Sequence, residues 1–200
     1  MDDDPSRAER TIAAWMRIEE WLRVRAPRSY AMLPGPAEPS EIAAAEAALG
    51  KLPQELMALW SLRAGGSGSG PERLEILRGY DVFPPMDSVR CHFIALSPIL
   101  EVEEMGPRPW VPACATATDE PALWNFIDVP TGQLGWNVHA GEFTEPEESG
   151  DTFAEWIESV ADQLHGGQAW GIRLPGVANG WLSWEDIRDQ NRIPSSWEPV

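Results

Sequence analysis

The stretch TFAEWIESVADQLHGG, residues 152–167, carries the strongest pattern in the chain. Thr152 and Glu155 stand at capping-box spacing, in which a hydroxyl and a carboxylate reciprocally satisfy the first free N–H groups of a helix. Phe153, Trp156, Ile157, Val160 and Leu164 then fall at i, i+3, i+4, i+7 and i+11, a single apolar stripe, and Gly166-Gly167 ends it. A helix so striped must lie on something. Upstream are short strand-like pieces, Trp110 to Ala113, Leu123 to Val129 and Leu134 to His139. The last two are separated by Pro130-Thr131-Gly132, residues that favour a turn. In the third piece Leu134, Trp136 and Val138 alternate with Gly135, Asn137 and His139, which gives one apolar face.

Further out, the N-terminal half reads as helices. Ser6 and Glu9 repeat the capping-box spacing, and Ile12, Trp15, Ile18 and Leu22 form an apolar stripe that should end before Pro27. Four prolines between 27 and 39 predict an ordered but irregular connection. Ser40 is the expected N-cap of a second helix, with Gly50 after its end. Leu52-Pro53 opens a third helix, striped by Leu56, Leu59 and Trp60, which stops near Gly65-Gly66. Gly65 to Gly70, GGSGSG, is a flexible-coil composition and predicts a surface loop. Leu74 to Leu77 and Tyr80 to Phe83 are strand-like, Val89 to Leu96 is a plausible short helix, and Glu142 to Asp151 reads as an acidic loop. Residues 168–200 hold four tryptophans, too apolar for a free tail, and predict a segment wrapped on the domain through a short helix capped by Ser183.

Helices, then strands, then a helix imply an α+β fold, with a mainly antiparallel sheet flanked by helices and a Trp-rich C-terminal extension. The expected division is a domain over 1–165 and an extension over 166–200 packed on it. At 200 residues the chain suits one domain with a modest extension, at about 100 to 200 residues per domain. Asp2 to Asp4 are acidic where a secretory signal is basic, no segment has the apolar length of a membrane span, and Cys91 and Cys114 are too few for a disulfide framework. The expected compartment is therefore the cytoplasm.

The net charge of −17 arises from 32 acidic against 15 basic residues, and it is uneven. Residues 101–165 carry 14 Asp or Glu and one basic residue, Arg108, a balance of −13. Such a field repels phosphate backbones and anionic headgroups, which excludes nucleic acid and membrane as expected partners. It attracts basic protein surfaces. Asp119, Glu120, Asp128, Glu142, Glu145, Glu147 and Glu148 are the candidate acidic surface. General acid–base work needs two carboxylates set in different environments, and nothing in the sequence sets any two apart. GGSGSG lacks the Lys-Ser/Thr of a phosphate loop, and Cys91, His92, Cys114 and His139 lack metal-ligand spacing. The expectation is no enzyme, no cofactor and no metal. Trp15, Trp60, Trp136 and Trp156 are core candidates, while Trp110, Trp124 and Trp197 lie outside the pattern as possible surface anchors.

The order of elements resembles the SUKH superfamily, which includes a fungal cell-wall-synthesis regulator and many bacterial immunity proteins. The similarity runs through WMRIEEWL (residues 15–22), EIAAAEAALGKLPQELMALWSLRAGG (41–66), RPWVPAC (108–114), WNFIDVPTG (124–132) and TFAEWIESVADQL (152–164). The chain departs from the family pattern at Ala64-Gly65, at Cys114 and at Asp119-Glu120, and residues after 165 lie outside it. The resemblance implies a non-enzymatic binding module, such as an immunity protein that neutralises a toxin with a basic cleft. The alternatives are a regulatory scaffold of the same fold and, third, an enzyme built on scattered carboxylates or the cysteines. Oligomeric state is not legible.

Overall fold

A computed structural model describes residues 6–65, 76–77, 109–115, 123–138, 142–146 and 150–200. The backbone alone is described at 115, 123–124, 137–138 and 142–143. Residues 66–70 of the glycine-rich stretch, the piece Tyr80 to Phe83 and the helix expected over Val89 to Leu96 lie outside the described residues.

Helix α1 spans Arg7–Arg25, and its Ser6–Glu9 capping box is present. The Ser6 N–H donates to Glu9 Oε2 at 2.8 Å. Trp15, Ile18 and Leu22 of the expected stripe are fully buried, and Trp21 joins them. The stretch taken for an irregular connection instead begins with a five-residue helix, α2, Pro27–Ala31. Proline at the first helical position has its φ already set and needs no N–H partner, so Pro27 starts a helix rather than preventing one. Helix α3, Pro39–Leu49, likewise begins one residue before the expected cap. Pro39 takes the first turn, so the capping position falls to Glu38, whose N–H donates to Glu41 Oε2 at 2.8 Å. Ser40 lies inside the helix. Helix α4, Gln54–Leu62, buries Glu55 together with Leu56, Leu59 and Trp60.

Strands β1 (Trp110–Ala115), β2 (Leu123–Asp128), β3 (Leu134–Val138) and β4 (Glu142–Thr144) form an antiparallel meander in the order β1-β2-β3-β4. Strand β4 occupies the start of the expected acidic loop. The β1–β2 register shifts between Pro112 and Cys114. Pro112 has no N–H to give the ladder, and prolines inside sheets are confined to edges and such bulges. Helix α5, Phe153–Gly166, has the Thr152–Glu155 capping box and the left-handed Gly167 that its sequence demanded. It lies along α1, which also packs on α4. The three helices share one apolar core with Val111, Ala113, Cys114, Ile127 and Leu134 from the sheet.

The C-terminal segment is a second antiparallel sheet. Strands β5 (Arg173–Ala178), β6 (Trp181–Asp186) and β7 (Trp197–Pro199) run in the order β6-β5-β7. Ser183, expected to cap a helix, lies within β6. The β5–β6 loop is Asn179-Gly180, with φ of 53° and 82°. These are the two positive values that a two-residue hairpin turn matched to strand twist requires. This hairpin sits on α2: Arg28 N–H donates to Gly180 O at 3.0 Å and Leu182 N–H to Ser29 Oγ at 2.9 Å. The Arg28 guanidinium lies over the Trp181 ring at 5.2 Å. Trp184 is buried, with its Nε1 donating to Ile76 O at 3.2 Å. The tryptophans predicted as core are buried at 15, 60 and 156, while Trp136 is half-buried. Trp110, expected as a surface anchor, is instead buried and stacked on Phe126 with ring centroids 4.5 Å apart. Trp197 is half-buried against Gly176, where a Cβ would overlap its ring. The Trp124 side chain lies outside the described residues.

The two capping boxes predict an acid-side loss of stability. In α5 the Thr152 N–H, then its hydroxyl, holds the Glu155 carboxyl below the usual glutamate range. Ser6 does the same for Glu9 in α1. Carboxylates with depressed folded pKa values contribute stability that is complete above the unfolded value, about 4.3, and is lost as pH falls through the folded values. Urea midpoints measured from pH 6 to pH 3 should therefore fall below about pH 4.3. Glu155→Gln, which keeps the box without titrating, should flatten the decline.

Candidate functional site

The β2–β3 turn gathers the most unusual chemistry among the described residues. Asp128 closes β2, its N–H donating to Gln133 O at 2.9 Å and its carbonyl accepting from Gly132 N–H at 2.7 Å. One Asp128 carboxylate oxygen accepts from both Thr131 N–H, at 3.0 Å, and Thr131 Oγ1, at 2.6 Å. An aspartate that bonds the backbone just downstream is a turn former, so the carboxylate shapes the loop as well as charging it.

Beneath the turn lies an ion pair. Arg7 Nε stands 2.6 Å from Glu55 Oε1, and the Glu55 side chain is fully buried. The guanidinium also donates to Thr131 O, and its NH1 reaches Pro130 O at 3.4 Å. Arg7 thus ties the first turn of α1, the first turn of α4 and the sheet together. Neither Glu55 oxygen has a hydrogen-bond partner among the described residues, so its charge is met there by the Arg7 ion pair. Gly132, with φ of 75°, passes directly over the pair: a Cβ there would lie 2.5 Å from Glu55 Oε1 and 2.7 Å from Arg7 Nε. The turn must have glycine here for its backbone conformation and for this approach.

Beside the turn opens a cleft of ≈ 370 Å³ lined by Leu49, Lys51, Pro109, Trp110, Val111, Val129 and Pro130. Its size falls in the range of roughly 300–1,000 Å³ typical of ligand pockets, and its walls are mostly apolar. The walls are held: Val129 N–H donates to Pro109 O at 2.9 Å, and Arg7 secures Pro130 from below. Lys51 is the only lysine of the chain and makes no ion pair among the described residues.

Of the acidic residues singled out from the sequence, Asp119, Glu120, Glu147 and Glu148 lie outside the described residues. Asp128 and Glu145 come to the turn end of the first sheet, since Thr144 pairs with Trp136 and its carbonyl abuts Gly135. Glu142 pairs with Val138 at the opposite end of β3. A third carboxylate at the turn end, Asp151, was missing from that set: its carbonyl accepts from Leu134 N–H at 2.9 Å, and the next residue, Thr152, bridges to Gln133. Much of the charge on α5 is met by α1. Arg10 binds both oxygens of Glu158, at 2.9 and 2.6 Å, and Arg17 pairs with Asp162 at 2.6 Å. Elsewhere Glu19, half-buried, is bound bidentately by Arg63 at 2.8 and 2.6 Å and also accepts from Trp15 Nε1. Burial would raise its pKa, but the Arg63 hydrogen bonds and charge hold it below the usual range.

Cys114 is a buried cysteine in β1, and Cys91, His92 and His139 lie outside the described residues. His165, at the end of α5, places Nε2 3.2 Å from Arg17 O. Among the described residues no group of three His, Cys, Asp or Glu is arranged to hold a metal ion. Nor is any helix there long and apolar enough to cross a membrane. No family model matches the chain, and no curated protein matches it.

Proposed function

We propose that this chain is a non-enzymatic protein-binding module of the SUKH type, an immunity-type protein that neutralises a basic toxin domain through the acidic turn end of its first sheet. The observation that carries the reading is the charge placement. Between Pro109 and His165 the described residues include seven Asp or Glu and neither Lys nor Arg. Asp128, Glu145 and Asp151 come to the turn end, where Arg7 beneath the turn is committed to Glu55 and to the Pro130 and Thr131 carbonyls. A concentrated single-sign field beside a firmly held apolar cleft suits an opposite surface that is steered in by charge and retained by packing. Glu9 and Glu155 are engaged in caps and Glu19, Glu55 and Glu158 in ion pairs, whereas the Glu145 and Asp151 side chains make neither among the described residues.

Affinity capture from the native cell, followed by identification of the bound protein, tests this. The expected result is one predominant partner with a basic cleft, whose activity the chain blocks and whose association slows as salt is raised. A set of unrelated proteins captured independently of salt would contradict it.

A further inference from the structure

The cleft beside the β2–β3 turn lies next to the acidic cluster but is not explained by it. Apolar walls on a strongly acidic protein invite an apolar group, and the surrounding charge decides what must accompany that group. On the turn side the walls are Val129 and Pro130, adjoining Asp128, while Glu145 and Asp151 stand at the same end of the sheet. On the opposite side the wall is Leu49 and Lys51, which makes no ion pair among the described residues, where α3 ends. The two rims therefore carry opposite charge. Both are fixed, one by Arg7 and the Pro109–Val129 hydrogen bond, the other by Gly50, which ends α3 with φ of 82° and its N–H donating to Glu46 O.

We infer that the cleft is the anchor pocket for a peptide segment of the protein partner, one in which an aliphatic or aromatic side chain is flanked by arginine or lysine on the side that meets the β2–β3 turn. This rests on the binding-module reading and names the partner chemistry of that site. The apolar side chain fills the space between Trp110, Val111 and Val129, and the basic flank faces Asp128, the cross-strand partner of Trp110. Lys51 sets the direction, because a basic residue placed on its side is repelled. Hot spots of protein interfaces have this arrangement, an anchor in a desolvated pocket surrounded by a charged rim.

The probe is a capped tripeptide with one basic flank, acetyl-Arg-Phe-Gly-amide, titrated to 10 mM into the full chain while the backbone amide resonances of Val111, Val129 and Lys51 are followed. The expected result is saturable shifts at all three, lost when the peptide phenylalanine is replaced by alanine and absent with acetyl-Glu-Phe-Glu-amide. Lys51→Glu, a change at an exposed position, should tighten binding by up to about fivefold, the range of an exposed ion pair. Leu49→Trp, which fills the rim, should abolish the shifts at Val111 and Val129 while leaving the thermal transition in place. Absence of saturable shifts, equal binding of the acidic peptide, or indifference to Leu49→Trp would each overturn the pocket assignment. Failure here together with successful capture of a salt-sensitive basic partner would remove the cleft and leave the module. Absence of any such partner would remove the module itself.

Discussion

Replacing Arg7 by methionine is expected to lower stability by about 3–5 kcal/mol, the cost of leaving one member of a buried ion pair without its partner. The Glu55 side chain has no solvent exposure and its second oxygen has no hydrogen-bond partner among the described residues, so nothing else compensates its charge once the guanidinium is gone. The same substitution frees the carbonyls of Pro130 and Thr131, so loss of the pair also loosens the turn that forms one wall of the cleft. The double variant Arg7→Met with Glu55→Leu should recover most of the loss, because apolar replacement of both partners removes the desolvation penalty along with the attraction. Urea unfolding of the two single variants and the double closes the cycle. A single-variant loss below about 1 kcal/mol, the level of an exposed surface pair, would show that the pair carries no burial penalty.

Trp184→Ala should cost about 3–5 kcal/mol, as for other buried aromatic truncations. Trp184 is 2% exposed and belongs to the same core cluster as α1, α4 and α5. Its indole N–H donates to Ile76 O, so truncation also leaves a carbonyl without its donor. The residue lies on β6, within the segment that the SUKH resemblance does not reach. A loss of this size, in a single unfolding transition, would make the second sheet a structural part of the domain. Two separate transitions, with the first sheet and helices unaffected, would make it an appendage.

Local chemistry made the first and last helices readable before any coordinates. Ser6 with Glu9 and Thr152 with Glu155 each specify a start, and an unbroken stripe specifies the buried face. The same logic misplaced the start of α3 by two residues, since Ser40 is the better capping residue by type but Pro39 takes the first turn and Glu38 the cap. The second sheet had a signal that went unread: Asn179-Gly180 between Val177-Ala178 and Trp181-Leu182 is a strong hairpin dipeptide. Four tryptophans in the segment drew attention to burial instead of to the turn. Docking of that hairpin on α2 depends on Ser29 and Arg28, which are separated from it by some 150 residues, and no local pattern encodes such a contact.

The site was legible only as charge. Counting acids located the excess in residues 101–165, but sequence distance does not say which carboxylates share a face. Antiparallel pairing sends Glu142 to one end of the sheet and Glu145 to the other, three residues later, and the Gln133–Thr152 bridge brings Asp151 to the same end as Asp128. The Arg7–Glu55 pair left one trace. Glu55 lies four residues before Leu59, on the buried side of α4, where an acid at the surface would not be placed. Its partner is 48 positions away and was invisible.

Steering of a basic partner by the turn end of the first sheet is read out by the association rate constant of the captured partner. It should be measured in low and in high salt for the native chain and for Glu145→Lys/Asp151→Lys. These two side chains form no hydrogen bond or ion pair of their own among the described residues, so the fold should be retained. The expected association rate is at least tenfold slower in the variant at low salt, converging with the native chain as salt rises, while the dissociation rate changes little. Equal association rates for variant and native chain at low salt would contradict it.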